Sequence, residues 1–207
     1  MKIIFTYAII AFIVAGCSAL RPSVHEYTIL PIYTPHLAIN QSINATLKVS
    51  STRSLSSLAS TQFYYLKESS HIDAYLYSRW SDSPSNMIDR SLTSSLQNRQ
   101  LFATLIPATS SATADIVLES DLNAFYHCFN DDSKSEGFID VTYRLIDPKT
   151  KKTIASKRFI ILEPAQSEDA KGGVDALTKA RRKEEAVSRM ESIAFLMTLS
   201  AVSTPRQ

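Results

Sequence analysis

The chain has 207 residues, with 22 Lys+Arg against 20 Asp+Glu and a net charge of +2. So neutral a chain has no electrostatic footprint for a nucleic-acid backbone. Hydrophobic residues at 44% exclude outright disorder, and two cysteines cannot build a disulfide framework. Only four glycines occur, which leaves almost no material for glycine-rich phosphate loops.

Met1 and Lys2 open the chain with one positive charge, and an apolar run follows from Ile3 to Val14. A spanning helix needs about 20 apolar residues, so this run is too short to cross a bilayer and fits the core of a secretory signal. It ends in Val14-Ala15-Gly16-Cys17, with small residues before a cysteine. An extended chain of small residues enters a peptidase site, and the thiol is the acylation point, so the segment resembles a bacterial lipobox. Residues 1–16 are then a lipoprotein signal peptide cleaved between Gly16 and Cys17, and Cys17 is the acylated N-terminus. Residues 17–26 form the anchor and a short tether. Several acyl chains at about 0.8 kcal/mol per buried methylene make release negligible. Ser18 stands where an aspartate would retain such a lipoprotein in the inner membrane, so the resemblance implies the outer membrane, facing the periplasm of a diderm bacterium.

From residue 27 to 202 the pattern is that of one domain. Tyr27 to Leu30 reads as a strand, and residues 45–50 alternate. The serine-rich stretch Ser50 to Ser60 reads as a loop with a helical turn around Leu55 and Leu58. Phe63 to Leu66 and Ile72 to Trp80 are aromatic-rich strands around the turn Glu68-Ser69-Ser70. Ser83-Pro84 supplies an N-cap and a first-turn proline for a helix over 84–99, with Met87, Ile88, Leu92 and Leu96 at helical spacing. Leu101 to Ile106 returns as a strand. Ile116, Leu118, Leu122, Ala124 and Tyr126 are expected on one face of a long strand, with Val117 and Phe125 spoiling the contrast. Phe138 to Ile146 alternates cleanly, Asp147-Pro148 marks a turn, and Thr153 to Leu162 completes an antiparallel meander. Pro164 to Gly173 reads as a linker. A closing helix over Val174 to about Ser200 carries Leu177, Ala180, Val187, Met190, Ala194 and Met197 on one stripe that Glu184 interrupts. The expected fold class is α+β: one antiparallel or mixed sheet with two main helices packed on it.

No chemistry-bearing constellation emerges. There is no Gly-x-Ser-x-Gly elbow, and the histidines at 25, 36, 71 and 127 never fall at metal-ligand spacing. His127 and Cys128 are strand neighbours that point to opposite faces, so a strand end with one buried thiol is the expectation there. Asp131-Asp132 reads as a solvated turn, and Lys179 to Lys183 with Glu184-Glu185 as a solvated helix face. No catalytic residue, metal or cofactor is expected, and the chain is read as no enzyme.

At Arg79-Trp80 the sequence resembles a known family. Tyr77-Ser78-Arg79-Trp80-Ser81-Asp82-Ser83-Pro84 runs into a helix ending with Leu96. Later come Ala114-Asp115-Ile116-Val117-Leu118, then Phe125-Tyr126-His127, and Lys157-Arg158-Phe159 after a hairpin. In this order they are similar to the ABC-type transport auxiliary lipoprotein family. The closing helix lacks the tryptophan many members carry. The resemblance implies a non-catalytic lipoprotein beside an MCE-domain protein, a permease and an ATPase. Such machines move phospholipids or other hydrophobic molecules between the envelope membranes. It is also compatible with a homo-oligomer, since the family has oligomeric members. Tyr75, Tyr77 and Arg79 share one strand parity and, with Trp80 and Pro84, form the candidate docking motif, the alternative being a core face with Arg79 paired to an acid. A lipoprotein assembling another envelope complex, for lipopolysaccharide export or secretion, stays open, as does a lipid-anchored enzyme.

Overall fold

The computed structural model describes residues 22–30, 42–67, 71–130 and 134–184. The expectations for the signal peptide, Gly16, Cys17, His36, Glu68-Ser69-Ser70 and Asp131-Asp132 lie outside these residues. So does the closing helix beyond 184, with Val187, Met190, Ala194 and Met197.

The elements in chain order are β1 (His25–Tyr27), β2 (Ile43–Val49), β3 (Arg53–Ser54), β4 (Gln62–Lys67) and β5 (His71–Trp80). Helix α1 (Pro84–Arg99) follows, then β6 (Phe102–Pro107), β7 (Ile116–Phe129), β8 (Ser135–Asp147) and β9 (Lys152–Pro164). A second helix, α2, begins at residue 170 and runs through 184. The strands make one mixed sheet of nine, on which the two helices pack: an α+β fold, as expected.

The sheet is organised by β7. Along one edge it pairs antiparallel with β8, which pairs with β9 to complete the meander. Along its other edge residues 43–67 pass in three parallel instalments. Leu47–Val49 meets Ile116–Leu118, Arg53-Ser54 meets Asp121-Leu122, and Tyr65–Lys67 meets His127–Phe129. Outside these lie β6, parallel to β2, and β5, antiparallel to β4 and parallel to β1.

A bulge at Asn123 changes the faces of β7. Leu122 stands opposite Val141 and Ala124 opposite Asp140, so Asn123 is the extra residue. Leu118, Ser120 and Leu122 therefore share a face with Phe125 and His127, whereas Ala124 and Tyr126 point to the other. This corrects the single alternating face expected across residues 116–126. The disruptive Phe125 was the trace of the bulge.

Both helices cover the Ser120–His127 face. Asp89 of α1 accepts hydrogen bonds from the Thr52 backbone N–H (2.9 Å) and hydroxyl, and that hydroxyl is 2.6 Å from Ser120 Oγ. Burial raises the Asp89 pKa and the Thr52 hydrogen bonds oppose the rise. The gap between β3 and β4 is plugged by buried Leu58, whose carbonyl accepts from Ser85 N at 3.2 Å. The opposite face carries ion-pair ladders. Arg53 bridges Asp121 and Glu119, Arg144 reaches Asp121, and Arg158 grips buried Asp140 through two nitrogens (2.9 and 2.6 Å).

Three further expectations are corrected. The first strand is His25–Tyr27 rather than 27–30, because its parallel partner β5 stops at Trp80 and leaves residues 28–30 without a ladder. The linker over 164–173 ends early: Asp169 caps α2 by accepting from Gly172 N at 2.8 Å, and the helix begins at 170. The basic run of α2 is not wholly solvated. Arg181 is buried and paired with buried Glu184, and Lys183 reaches Glu163 of β9. Glu184 thus stays within the buried stripe with Leu177 and Ala180, because its charge is neutralised one turn away.

Helix α2 crosses the sheet closely where β8 has Gly137. A methyl there would stand 2.6 Å from Leu177 N and 2.7 Å from the Ala176 carbonyl carbon, both backbone atoms. Gly137→Ala must push the helix away, at about 1–3 kcal/mol for overpacking. A thermal melt of the purified protein should show a clearly lowered midpoint; an unchanged midpoint would mean that α2 does not rest on β8.

Candidate functional site

The strand β5 is irregular against β4. Gln62 pairs with Arg79 and Tyr64 with Ala74, so two steps along β4 span five along β5. The three surplus residues make a bulge between Ala74 and Arg79, and this local slip decides where each motif residue points.

Tyr75, Tyr77 and Arg79 do not lie on one face. Tyr75 turns in, its ring 4.9 Å from both Phe63 and Tyr65. Tyr77 sits in the bulge and is exposed. Arg79 is exposed and pairs with Glu26, its register partner on β1, with Nε donating at 3.0 Å. This is the arginine–acid pairing anticipated as an alternative, and it ties the N-terminal strand to the sheet. An exposed pair of this kind contributes about 0–1 kcal/mol.

The Arg-Trp-Ser-Asp-Ser-Pro segment is a strand-to-helix corner. Trp80 is buried between Phe63 (centroids 4.5 Å) and Phe125 (5.5 Å). Its backbone N–H donates to Thr61 O at 2.8 Å, and Ser81 N donates to Tyr27 O at 2.7 Å. Asp82 accepts from Ser83 N, Asn86 Nδ2 and Arg90, which hold its pKa below the usual carboxylate range, Asn86 most of all. Ser83 caps α1 by accepting from Asn86 N, and buried Pro84 takes the first helical position. Trp80 and Pro84 are thus packed into the fold, and Tyr77 is the exposed aromatic of the motif.

Beside the bulge opens a shallow, solvent-open cleft of about 620 Å³. Its walls are Tyr65 and Lys67 of β4, Tyr75, Leu76 and Tyr77 of β5, and Phe129 at the end of β7. Tyr65 and Phe129 meet edge to face at 5.8 Å, and the Lys67 ammonium lies 5.4 and 5.8 Å from their ring centroids. The cleft has an aromatic floor with the Lys67 ammonium upon it and Glu168 in its wall. Behind that floor the Tyr75 hydroxyl lies 2.7 Å from Nδ1 of fully buried His127, whose Nε2 has no hydrogen-bond partner among the described residues. Burial pushes His127 down to about 4, against a weak pull from Asp169, and raises Tyr75, so the pair is neutral. Gly173 of α2 lets the helix close over this imidazole; a methyl there would stand 2.6 Å from its Nδ1. Cys128 points away from His127 and is the buried thiol expected at this strand end, pushed up to about 12 by burial. Among the described residues no three His, Cys, Asp or Glu side chains cluster for a metal, and no helix is long and apolar enough to cross a membrane.

Sequence reasoning missed the cleft. Tyr65, Lys67 and Phe129 come from strands whose parallel pairing is non-local, and the aromatic enrichment of residues 63–66 was its only local signal. The neutral imidazole has a pH signature. The unfolded chain takes up a proton near 6.5 that the folded chain refuses until about 4. Stability must then fall as pH drops through this interval, by at most about 1.4 kcal/mol per unit. Urea denaturation across the interval should show that slope in the natural protein and lose it in His127→Gln. A flat profile in the natural protein would mean that the imidazole is not buried neutral.

In a comparison of folds, a crystal structure of a Xanthomonas campestris protein of family DUF330 superposes with a TM-score of 0.74 at 16% identity, covering 87% of this chain and all of that one. A crystal structure of an uncharacterized protein gives 0.60, also at 16% identity, over 82% and 98% of the two chains. Identities this low establish a shared fold and nothing more. No curated protein matches the sequence. The sequence model described as "ABC-type transport auxiliary lipoprotein component" matches residues 27–184, which include every described strand from β2 to β9 and both described helices. The chain belongs to the ABC-type transport auxiliary lipoprotein family.

Proposed function

We propose that this protein is a non-catalytic, lipid-anchored accessory subunit of an MCE-type transport system that moves phospholipids or other hydrophobic molecules between the envelope membranes. The family match over residues 27–184 carries the reading: members are auxiliary components of ABC-type transporters and lipoproteins of the envelope. The Val14-Ala15-Gly16-Cys17 segment supports the anchor, with Cys17 as the acylated residue, and Ser18 supports the outer membrane. The partners are an MCE-domain protein, a permease and an ATPase. In this arrangement the domain docks the outer-membrane end of the machine. The buried Trp80 and Pro84 hold the corner from which the exposed Tyr77 projects beside the cleft.

Cys17→Ser should abolish labelling by a radioactive fatty acid and leave uncleaved precursor; label that persists would remove the anchor. Cross-linking of the native protein in its membrane should recover an MCE-domain protein. Recovery of a lipopolysaccharide-export component without any MCE protein would replace this reading with that of another envelope complex. Turnover of an ester or phosphate substrate by the purified protein would sink both.

A further inference from the structure

The bulge of β5 leaves an apolar lip on the surface. Leu76 is 82% exposed and Tyr77 52% exposed. Val24, the residue just before β1, is 47% exposed. In the parallel register His25 meets Ser78, so Val24 enters the fold level with Tyr77. Three large, exposed apolar residues therefore occupy neighbouring positions where the N-terminal segment joins the sheet. Isolated exposed apolar residues need no explanation, but a cluster at the rim of an aromatic cleft does.

The path of the chain identifies what covers it. Only residues 18–23 lie between Cys17 and Val24. Seven steps of fully extended chain reach at most about 25 Å. If Cys17 is acylated, the edge formed by β1 and β5 is held within that distance of the bilayer, and the lip is the apolar part of that edge. The chemistry suits an interface: tyrosine pairs an apolar ring with a hydroxyl at headgroup depth, and leucine reaches further in. The exposed Arg79–Glu26 pair lies on the same β1–β5 edge and can stay among the headgroups, whereas the ladders of Arg53, Glu119, Asp121 and Arg144 lie on strands β3, β7 and β8.

We propose that Val24, Leu76 and Tyr77 form a membrane-contact lip that rests on the phospholipid surface and turns the mouth of the aromatic cleft toward it. This rests on the anchor reading of Cys17 and adds an orientation to it. A second, non-covalent contact converts a tethered domain into a docked one, because the anchor supplies a high local concentration of membrane.

The test uses the mature lipidated protein reconstituted into vesicles of phosphatidylethanolamine with some phosphatidylglycerol. An environment-sensitive fluorophore is placed on Leu76→Cys, on Tyr77→Cys as a second reporter, and on Ile160→Cys of β9 as the control. All three positions are exposed, and Cys128 is buried. Labels at 76 and 77 should be blue-shifted and quenched several-fold more than the label at 160 by lipids carrying a headgroup-proximal nitroxide. Vesicle flotation keeps the two readings apart. Protein that does not float has lost the anchor. Protein that floats while all three labels stay equally aqueous overturns the lip and leaves the anchor standing. Labels at 76 and 77 that become shielded only when a transporter protein is added would assign the lip to a protein partner and also overturn the proposal.

Discussion

The pairing of β7 is the constraint on which the rest of the molecule depends. It is 14 residues long and hydrogen-bonded along both edges. Its antiparallel edge to β8 is made through a short connection and is therefore local. Its parallel edge is assembled from residues 43–67, more than sixty positions away in sequence, which must arrive in register in three pieces. Each break between the pieces is sealed by a specific contact: Asp89 on the Thr52 backbone, and Leu58 in the core with its carbonyl bonded to Ser85. Both seals come from or lead to α1, so the helix completes the sheet as well as covering it.

The bulge at Asn123 then decides the character of the core. By moving Phe125 and His127 to the helix side, it brings the end of β7 against Tyr75 and Trp80, which in turn flank Phe63. The aromatic layer joins β7, β4 and β5, and Gly173 lets α2 close over it. Placing a histidine there has an electrostatic cost that falls on the charged form, so the imidazole stays neutral and takes the Tyr75 hydroxyl as its partner. The cleft is the outer side of the same layer. Its aromatic floor and the buried His127–Tyr75 pair are two faces of one packing solution.

This arrangement separates buried scaffold from exposed side chains. The family motif around Arg79, Trp80 and Pro84 is used chiefly to turn a strand into a helix and to pin β1. The bulge that precedes it projects the exposed side chains. A recognisable motif can thus mark a family through its folding role, while the side chains exposed beside it lie a few residues earlier.

Much of the fold was legible locally. The helix over 84–99 followed from Ser83, Pro84 and the spacing of Met87, Ile88 and Leu92, and β8 followed from its alternation, because capping and periodicity are short-range signals. The corner motifs also sufficed to place the chain in its family. The cleft was not legible: Tyr65, Lys67, Tyr75 and Phe129 meet through parallel pairing and a register slip, which leave no periodic trace. Nor could spacing alone show that Arg181 and Glu184 would be buried together, since a charge run on a helix looks the same whether it faces water or a sheet. Sequence by itself determined which elements form, because that depends on neighbouring residues. Tertiary structure decided which faces they show, because bulges, register and helix approach are settled only when distant strands meet.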